Sequence, residues 1–401
     1  MNAQGLNATF DRLWSELAPI GRSPSSGGYR RFAWTAADAE LREWFAGSAA
    51  DRGLDVTTDL AGNQWAWWGD PDHEPGVVAG SHLDSVPDGG AFDGPLGVVT
   101  AFAAVDAMRT AGVVPNRPIG IVNFGDEEGA RFGVACAGSR LITGALDADR
   151  ARGLTDVDGV TMAEAMRRAG RDPGGLGCDD RTLRRIGAFV ELHVEQGRGL
   201  VELERPVAVG SCIWPHGRWR MELPGQANHA GTTALSDRHD PMLALAELIQ
   251  QIRSAAVRHD ALATCGKVRV EPNGVNAIAS HVTAWLDARG ADPERVRAVV
   301  ADVTAAGAGL GAVVSEESWT GSTAFDGPLA SRISAVLDEA PMVSTGAGHD
   351  AGILATAGIA SAMLFVRNPT GVSHSPAEYA ERDDCLAGVQ ALTAVLTDLV
   401  S

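Results

Sequence analysis

The stretch Pro118–Gly133, PIGIVNFGDEEGARFG, places an apolar run directly before three adjacent carboxylates, Asp126, Glu127 and Glu128, framed by glycines. A short apolar run bounded by Pro and Gly reads as a buried strand, and the acidic, glycine-rich segment as the loop at its carboxyl end. Three neighbouring negative charges repel one another, so a folded loop that holds them needs a cation, a shared proton or open solvent. Which of these applies decides the chemistry.

The same texture recurs outward from this stretch. From about Gly76, the runs GVVAG (76–80), GAFVEL (187–192) and SAMLFV (361–366) alternate with helical patterns such as PLGVVTAFAAVDAMRTAG (95–112). Pro95 suits the first turn of that helix and Gly112 its end. The alternation predicts an α/β fold on a mixed, largely parallel sheet. After about Val209 the pattern changes: RWRMEL, GKVRVEP and HVTAWLDARG read as alternating strands around a helix that opens near Asp240-Pro241. A second helical pattern, DPERVRAVVADVTAAG, then precedes a strand ending near Trp319. That order predicts a smaller α+β domain over residues 212–324, inserted into an α/β domain formed by 1–211 and 325–401.

Composition limits the partners. The 401 residues carry 51 acidic against 33 basic side chains, a net charge of −18, which argues against nucleic acid or anionic membrane and for a small substrate. No run approaches the roughly 20 apolar residues of a membrane span. The amino-terminal MNAQGLNATFDRLWSELAPIG lacks the basic and continuous apolar segments of a secretory signal and reads as an amphipathic helix, so a cytoplasmic location is expected. The five cysteines, Cys136, Cys178, Cys212, Cys265 and Cys385, are scattered and form no CxxC pair. They read as reduced thiols, most of them buried, which leaves nitrogen and oxygen to hold any metal.

Ligand-type side chains fall at the strand ends. His82 follows GVVAGS, the acidic triplet follows IVNFG, His193 follows AFVEL, and His374 lies in the loop after SAMLFV, while Asp93 joins from the loop after His82. Open α/β sheets assemble their sites along this edge. The chemistry that fits is a two-metal hydrolytic centre, with ions about 3.5–4 Å apart and a carboxylate bridging them. One further carboxylate, not bound to metal, is needed to take a proton from the attacking water. In the acidic triplet one carboxylate can bind metal while its neighbour acts as the base, the cations relieving the repulsion.

Eight stretches carry a resemblance, in order: GSHLDSVPDGGAFDGPLGV, GDEEGARF, ELHVEQG, GQANHAGTT, PNGVNAIA, LDARG, GAGHDA and GVSHSP. Together they resemble the metallopeptidase family M20, and specifically its amidase (hydantoinase/carbamoylase) branch, which holds N-carbamoyl-L-amino-acid hydrolases, β-ureidopropionases and allantoate amidohydrolases. The resemblance covers nearly the whole chain and implies a dinuclear-metal domain interrupted by a lid and dimerisation domain. It implies that His82 and His193 bind one metal, Glu128 and His374 the other, and that Asp93 bridges them. Glu127 becomes the general base and Asp84 the carboxylate that orients the His82 ring. Two divalent ions per chain are expected, zinc, manganese, cobalt or nickel.

Substrate residues follow by the same resemblance. Gln196 contacts the ureido end, and His229 reaches across a homodimer to the carbonyl oxygen of the partner's substrate. Asn276, Arg289 and the backbone of Gly348 grip the substrate carboxylate, for which the planar fork of Arg289 is suited. One segment departs: where the branch often carries Gly-Gln-Arg-Arg, this chain has Pro215-His216-Gly217-Arg218-Trp219, which adds His216 and Arg218 to the candidate substrate residues. The expected activity is hydrolysis of the ureido group of a small acid, an N-carbamoyl-L-amino acid first, with release of ammonia and carbon dioxide. Allantoate amidohydrolase, with the same chemistry, is the nearest alternative. An aminopeptidase or dipeptidase of the wider family is disfavoured by DEEGARF, HVEQG and NHAGTT, and a non-catalytic binding protein by the full set of ligands and base.

Overall fold

The computed structural model describes residues 3–401, so Met1 and Asn2 of the amino-terminal stretch lie outside the described residues. The rest of that stretch opens with a helix, Ala3–Leu17. The chain splits into two compact units, Met1–Ser211 with Ala324–Ser401, and Cys212–Thr323.

In the first unit the strands are β1 (Asp55–Thr58), β2 (Gln64–Trp68), β3 (Gly76–His82), β4 (Ile119–Phe124), β5 (Ile186–Val194) and β6 (Val207–Ile213). The second contributes β7 (His216–Pro224), β8 (Asn228–His229), β9 (Leu262–Glu271), β10 (Ala277–Ile278), β11 (His281–Arg289) and β12 (Val313–Thr320). The chain then continues through β13 (Thr323–Ala324), β14 (Met342–Thr345) and β15 (Ser361–Val366).

The large sheet runs β1-β2-β4-β3-β5-β15-β6-β13, with β14 also on β6. Its centre is parallel, β3 pairing with β4 and β5 and β15 with β5, while β1, β2 and β6 pair antiparallel toward the edges. This is the mixed, largely parallel sheet that the alternation predicts. Strands β3, β4 and β15 are buried at every residue, which is why each reads as a continuous apolar run rather than an alternating one.

Two glycines set how closely the helix Pro95–Thr110 meets the strands. A Cβ on Gly97 would lie 2.3 Å from the Leu192 carbonyl oxygen, so only glycine lets the helix press onto β5. Gly94, at φ 85°, would put a Cβ 2.4 Å from the His82 ring. The backbone beside Asp93 therefore passes directly over that imidazole.

The second unit is a four-stranded antiparallel sheet in the order β12-β7-β11-β9. Val282, Ala284, Leu286 and Ala288 of β11 are buried against residues of the helices Pro241–Arg258 and Pro293–Gly309. Each helix opens on an Asp-Pro pair: Asp240 and Asp292 accept the Met242 and Glu294 amides, and the proline takes a first-turn position where no N–H is needed. The alternate residues Trp285, Asp287 and Arg289 occupy the other face. Register sets Arg218 opposite Asp287 and His216 opposite Arg289.

Register also accounts for the departing segment. Gly217 belongs to the helix-covered face, where a Cβ would lie 2.5 Å from the Trp219 ring. A large side chain at 217 would evict that indole, whereas His216 and Arg218 both stand on the face that carries Arg289.

The cysteine reading needs correction. Only Cys136 and Cys385 are buried, Cys178 being exposed and Cys212 and Cys265 half-buried. Cys178 falls in the loop before the helix Asp180–Arg184, and Cys265 on the edge strand β9, positions that the usual interior preference of cysteine does not reveal. Among the described residues no helix is long and apolar enough to cross a membrane.

Candidate metal centre

His82 and His193 sit within the last residues of β3 and β5, inside the strands rather than in the loops beyond, and both are buried. Strand pairing fixes their backbones, and a second contact fixes each ring. His82 Nδ1 lies 3.2 Å from the Asp84 carbonyl oxygen and 3.4 Å from its Oδ1, and His193 Nδ1 lies 2.9 Å from the Val194 carbonyl oxygen. Each Nδ1–H therefore donates to an acceptor, which leaves the Nε2 lone pair as the donor atom for a metal.

Both Nε2 atoms converge on one oxygen. Asp93 Oδ1 is 3.5 Å from His82 Nε2 and 3.1 Å from His193 Nε2, whereas Asp93 Oδ2 is 3.4 Å from His374 Nε2. His374 Nε2 is in turn 3.5 Å from Glu128 Oε2. Ligand atoms about 2.0–2.2 Å from a tetrahedral ion are separated by roughly 3.3 Å, close to these spacings. Two groups result, His82-Asp93-His193 and Asp93-Glu128-His374, each compact enough for one ion and both using Asp93. All five residues singled out as ligands are thus brought together, with Asp93 common to the two groups.

The donor set passes a direct test. His82 Nε2 is buried and has no hydrogen-bond partner among the described residues, which is costly for a polar atom unless something else engages its lone pair. Nitrogen and oxygen donors in this ratio suit zinc, manganese, cobalt or nickel.

The acidic triplet is positioned by its own backbone. Asp126 adopts φ 55°, and Asp84 accepts the amides of Glu127 (3.1 Å) and Glu128 (3.0 Å) on its two carboxylate oxygens. Asp84 thereby grips the acidic loop as well as the His82 ring. Asp126 and Glu127 are only 4% and 6% exposed, so open solvent does not relieve the repulsion. Burial, with Asp84 and Asp38, pushes the Asp126 carboxyl well above the usual carboxylate range. Burial also raises Glu128 to about 7, with Asp93 adding to it, and carries Glu127 well above its usual range. A divalent cation reverses this logic locally, because the charged form of its ligands is then favoured.

Several contributors escaped the sequence reading. Glu378 accepts the amides of Phe92 (2.8 Å) and Asp93 (3.0 Å), holding the Asp93 loop, and Ser373 Oγ lies 3.1 Å from Asp93 Oδ2. Glu191, the one charged residue in AFVEL, accepts from Ser81 Oγ (2.7 Å) and the Ala351 amide (2.8 Å); a lone charge in an apolar run was a usable signal. The His349 ring lies 4.6 Å from that of His193. His374 is exposed, and its φ of 55° is a left-handed backbone that non-glycine residues adopt at a cost.

The expected substrate residues fall in two places. Gln196 Nε2 donates to Asp93 Oδ2 at 2.8 Å and so borders the ligand cluster, and Gly348 is exposed just before His349. In the second unit, Arg289 forms a two-point pair with Asp287 (2.8 and 2.7 Å), with Arg218 3.8 Å from the same carboxylate. His216 Nδ1 contacts the Trp214 carbonyl (3.0 Å), and burial with the nearby guanidiniums of Arg289 and Arg218 holds its pKa below the usual value. His229 is joined to Ala277, next to Asn276, by the β8–β10 pairing. Its Nδ1 accepts the Gly231 amide (3.0 Å), so the proton resides on Nε2.

A largely parallel α/β sheet whose strand ends hold a carboxylate shared by two nitrogen and oxygen donor groups, with a further carboxylate alongside, defines a metal-dependent hydrolase. The chain belongs to Peptidase family M20/M25/M40, which it matches over residues 78–398. It is 37% identical to the N-carbamoyl-L-amino acid amidohydrolase of Geobacillus stearothermophilus, covering 95% of this chain and 96% of that protein. It is 32% identical to the allantoate amidohydrolase of Bacillus subtilis (strain 168), covering 96% and 95%. Among solved structures, an amidase of the hydantoinase/carbamoylase family from Burkholderia vietnamiensis superposes with a TM-score of 0.87 at 28% identity, covering 98% and 97%.

Proposed function

We propose that this chain hydrolyses the ureido group of a small carboxylate-bearing compound, in the first instance an N-carbamoyl-L-amino acid, yielding the amino acid, ammonia and carbon dioxide. The observation that carries the reading is Asp93, whose two oxygens face separate donor groups while Glu127 Oε2 stands 3.7 Å from His82 Nε2. The similarity to the Geobacillus enzyme supports the substrate class.

His82 and His193 would hold one divalent ion and Glu128 and His374 the other, with Asp93 between them. Bound there, the pair supplies Lewis acidity toward the carbonyl and makes water a better nucleophile. Glu127 Oε2 takes a proton from the attacking water and returns it to the departing nitrogen, so one carboxyl serves both steps. Gln196 borders the ureido end. His229 has its proton on Nε2 and can donate to the developing oxyanion, in this reading across a homodimer. Arg289, with Asn276 and the Gly348 backbone, anchors the carboxylate, and His216 and Arg218 shape that end. The unit Cys212–Thr323 then serves as lid and dimerisation domain.

Ammonia release over a panel of N-carbamoyl amino acids, allantoate, ureidoglycolate and dipeptides tests the assignment. Turnover of carbamoyl amino acids above the others is the expected result. Preference for allantoate would select the alternative, which the Bacillus subtilis relative supports, and preference for dipeptides would overturn both.

A further inference from the structure

Cys136 is no ligand, yet its Sγ lies 3.2 Å from Glu127 Oε1 and the thiol is buried. The other oxygen, Oε2, is the one that faces the His82 ring. A carboxylate only accepts, so the thiol donates, and the two oxygens of Glu127 are made unequal. The surrounding backbone is built for this contact. Cys136 is held at φ 54°, and the Cys136 amide donates to the Glu127 carbonyl. Two further bonds follow in register, from the Ala137 amide to the Asp126 carbonyl (3.0 Å) and from the Gly138 amide to the Gly125 carbonyl (2.9 Å). The segment that starts the helix Ala137–Ile142 is therefore laced to the acidic loop, and a left-handed non-glycine residue, costly elsewhere, is retained at the point of contact.

We propose that Cys136 is a positioning residue for the base: its S–H holds Glu127 Oε1, so that Oε2 is the oxygen that accepts and returns the proton. A thiol is a weak donor. The contact is directional all the same, and it fixes the orientation of the carboxylate. The proposal rests on Glu127 being the base.

The test uses the metal-loaded full chain. Cys136→Ala is expected to lower kcat about tenfold, the size of one lost hydrogen bond, with KM and metal content unchanged. Cys136→Ser, whose hydroxyl can make the same contact, should recover most of the loss. In parallel, the S–H stretching band of Cys136, isolated by difference against a Cys136 variant, should lie where a hydrogen-bonded thiol absorbs and move to the position of an unbonded one in Glu127→Ala. Parental turnover in Cys136→Ala, a serine variant as poor as the alanine one, or a band indifferent to Glu127→Ala would each overturn the proposal. If the alanine variant does not fold, the serine variant supplies the difference spectrum and the band decides. Failure of the underlying reading shows separately, as full turnover in Glu127→Gln.

Discussion

Asp84 accepts the backbone amide of Glu127 at 3.1 Å, and its second carboxylate oxygen takes the next amide, that of Glu128, at 3.0 Å. One side chain thus sets the direction of both carboxylates that the proposed mechanism separates into base and ligand. Asp84→Asn would turn an NH2 toward one of those amides. Metal affinity is expected to fall about 10–100-fold, the usual range for a group that supports ligands, and isothermal titration with a divalent metal would measure it. Unchanged affinity would mean that the loop holds its shape without Asp84.

Chelation should abolish activity, and a divalent transition metal should restore it, with two ions per chain at saturation. Elemental analysis beside activity checks the count. Full activity in chelator, from protein with no bound metal, would sink the two-ion reading.

Glu127 and Glu128 should separate cleanly on substitution. Glu127→Gln is expected to keep the metal content and lose nearly all turnover, whereas Glu128→Gln should loosen one ion. Wild-type turnover in the first variant would show that the roles within the triplet are misassigned.

If His229 serves the partner's site, mixing His229→Ala chains with Glu127→Gln chains should regain activity, since a hybrid dimer contains one intact composite site. The measurement is turnover after demonstrated subunit exchange. No recovery would locate the donor within a single chain.

Arg289→Ala should depress kcat/KM for a ureido acid far more than for a neutral ureido analogue, with a loss of roughly 2–5 kcal/mol for the acid. Arg289→Lys should be little better, because an ammonium cannot reproduce the two-point fork. Equal losses for both substrates would make Arg289 a support for Asp287 and turn the search for the anchor to Arg218 and His216.

The central strands were legible because burial on both faces leaves a continuous apolar signature, as in Ser361–Val366. Their ends were less so. His193 reads as lying beyond its strand, but pairing continues through His193 with Phe365 and Val194 with Val366, and hydrogen bonding of that kind leaves no mark on hydropathy. Of the five proposed ligands, His82, Asp93, His193 and His374 stood out by residue type and place along the chain, whereas Glu128 was picked from the acidic triplet only through the family resemblance. Glu378 was not legible, because its contact with the Asp93 amide joins residues 285 positions apart, and nothing local in SPAEY announces an acceptor for a distant loop. Cys136 was read only as one of several thiols, since its significance depends on a left-handed backbone that turns it toward Glu127.

Strand β7 alternates strictly between a face packed on helices, with Gly217, Trp219, Met221 and Leu223 buried, and an opposite face bearing His216, Arg218 and Arg220. For protein engineering this makes the segment a two-sided template. A combinatorial library can randomise 216, 218 and 220 together with their cross-strand neighbours 289, 287 and 285 while leaving every core contact of the strand in place. The odd-numbered positions are closed to such variation, Gly217 most of all, because the indole of Trp219 already fills the space that any larger residue would need.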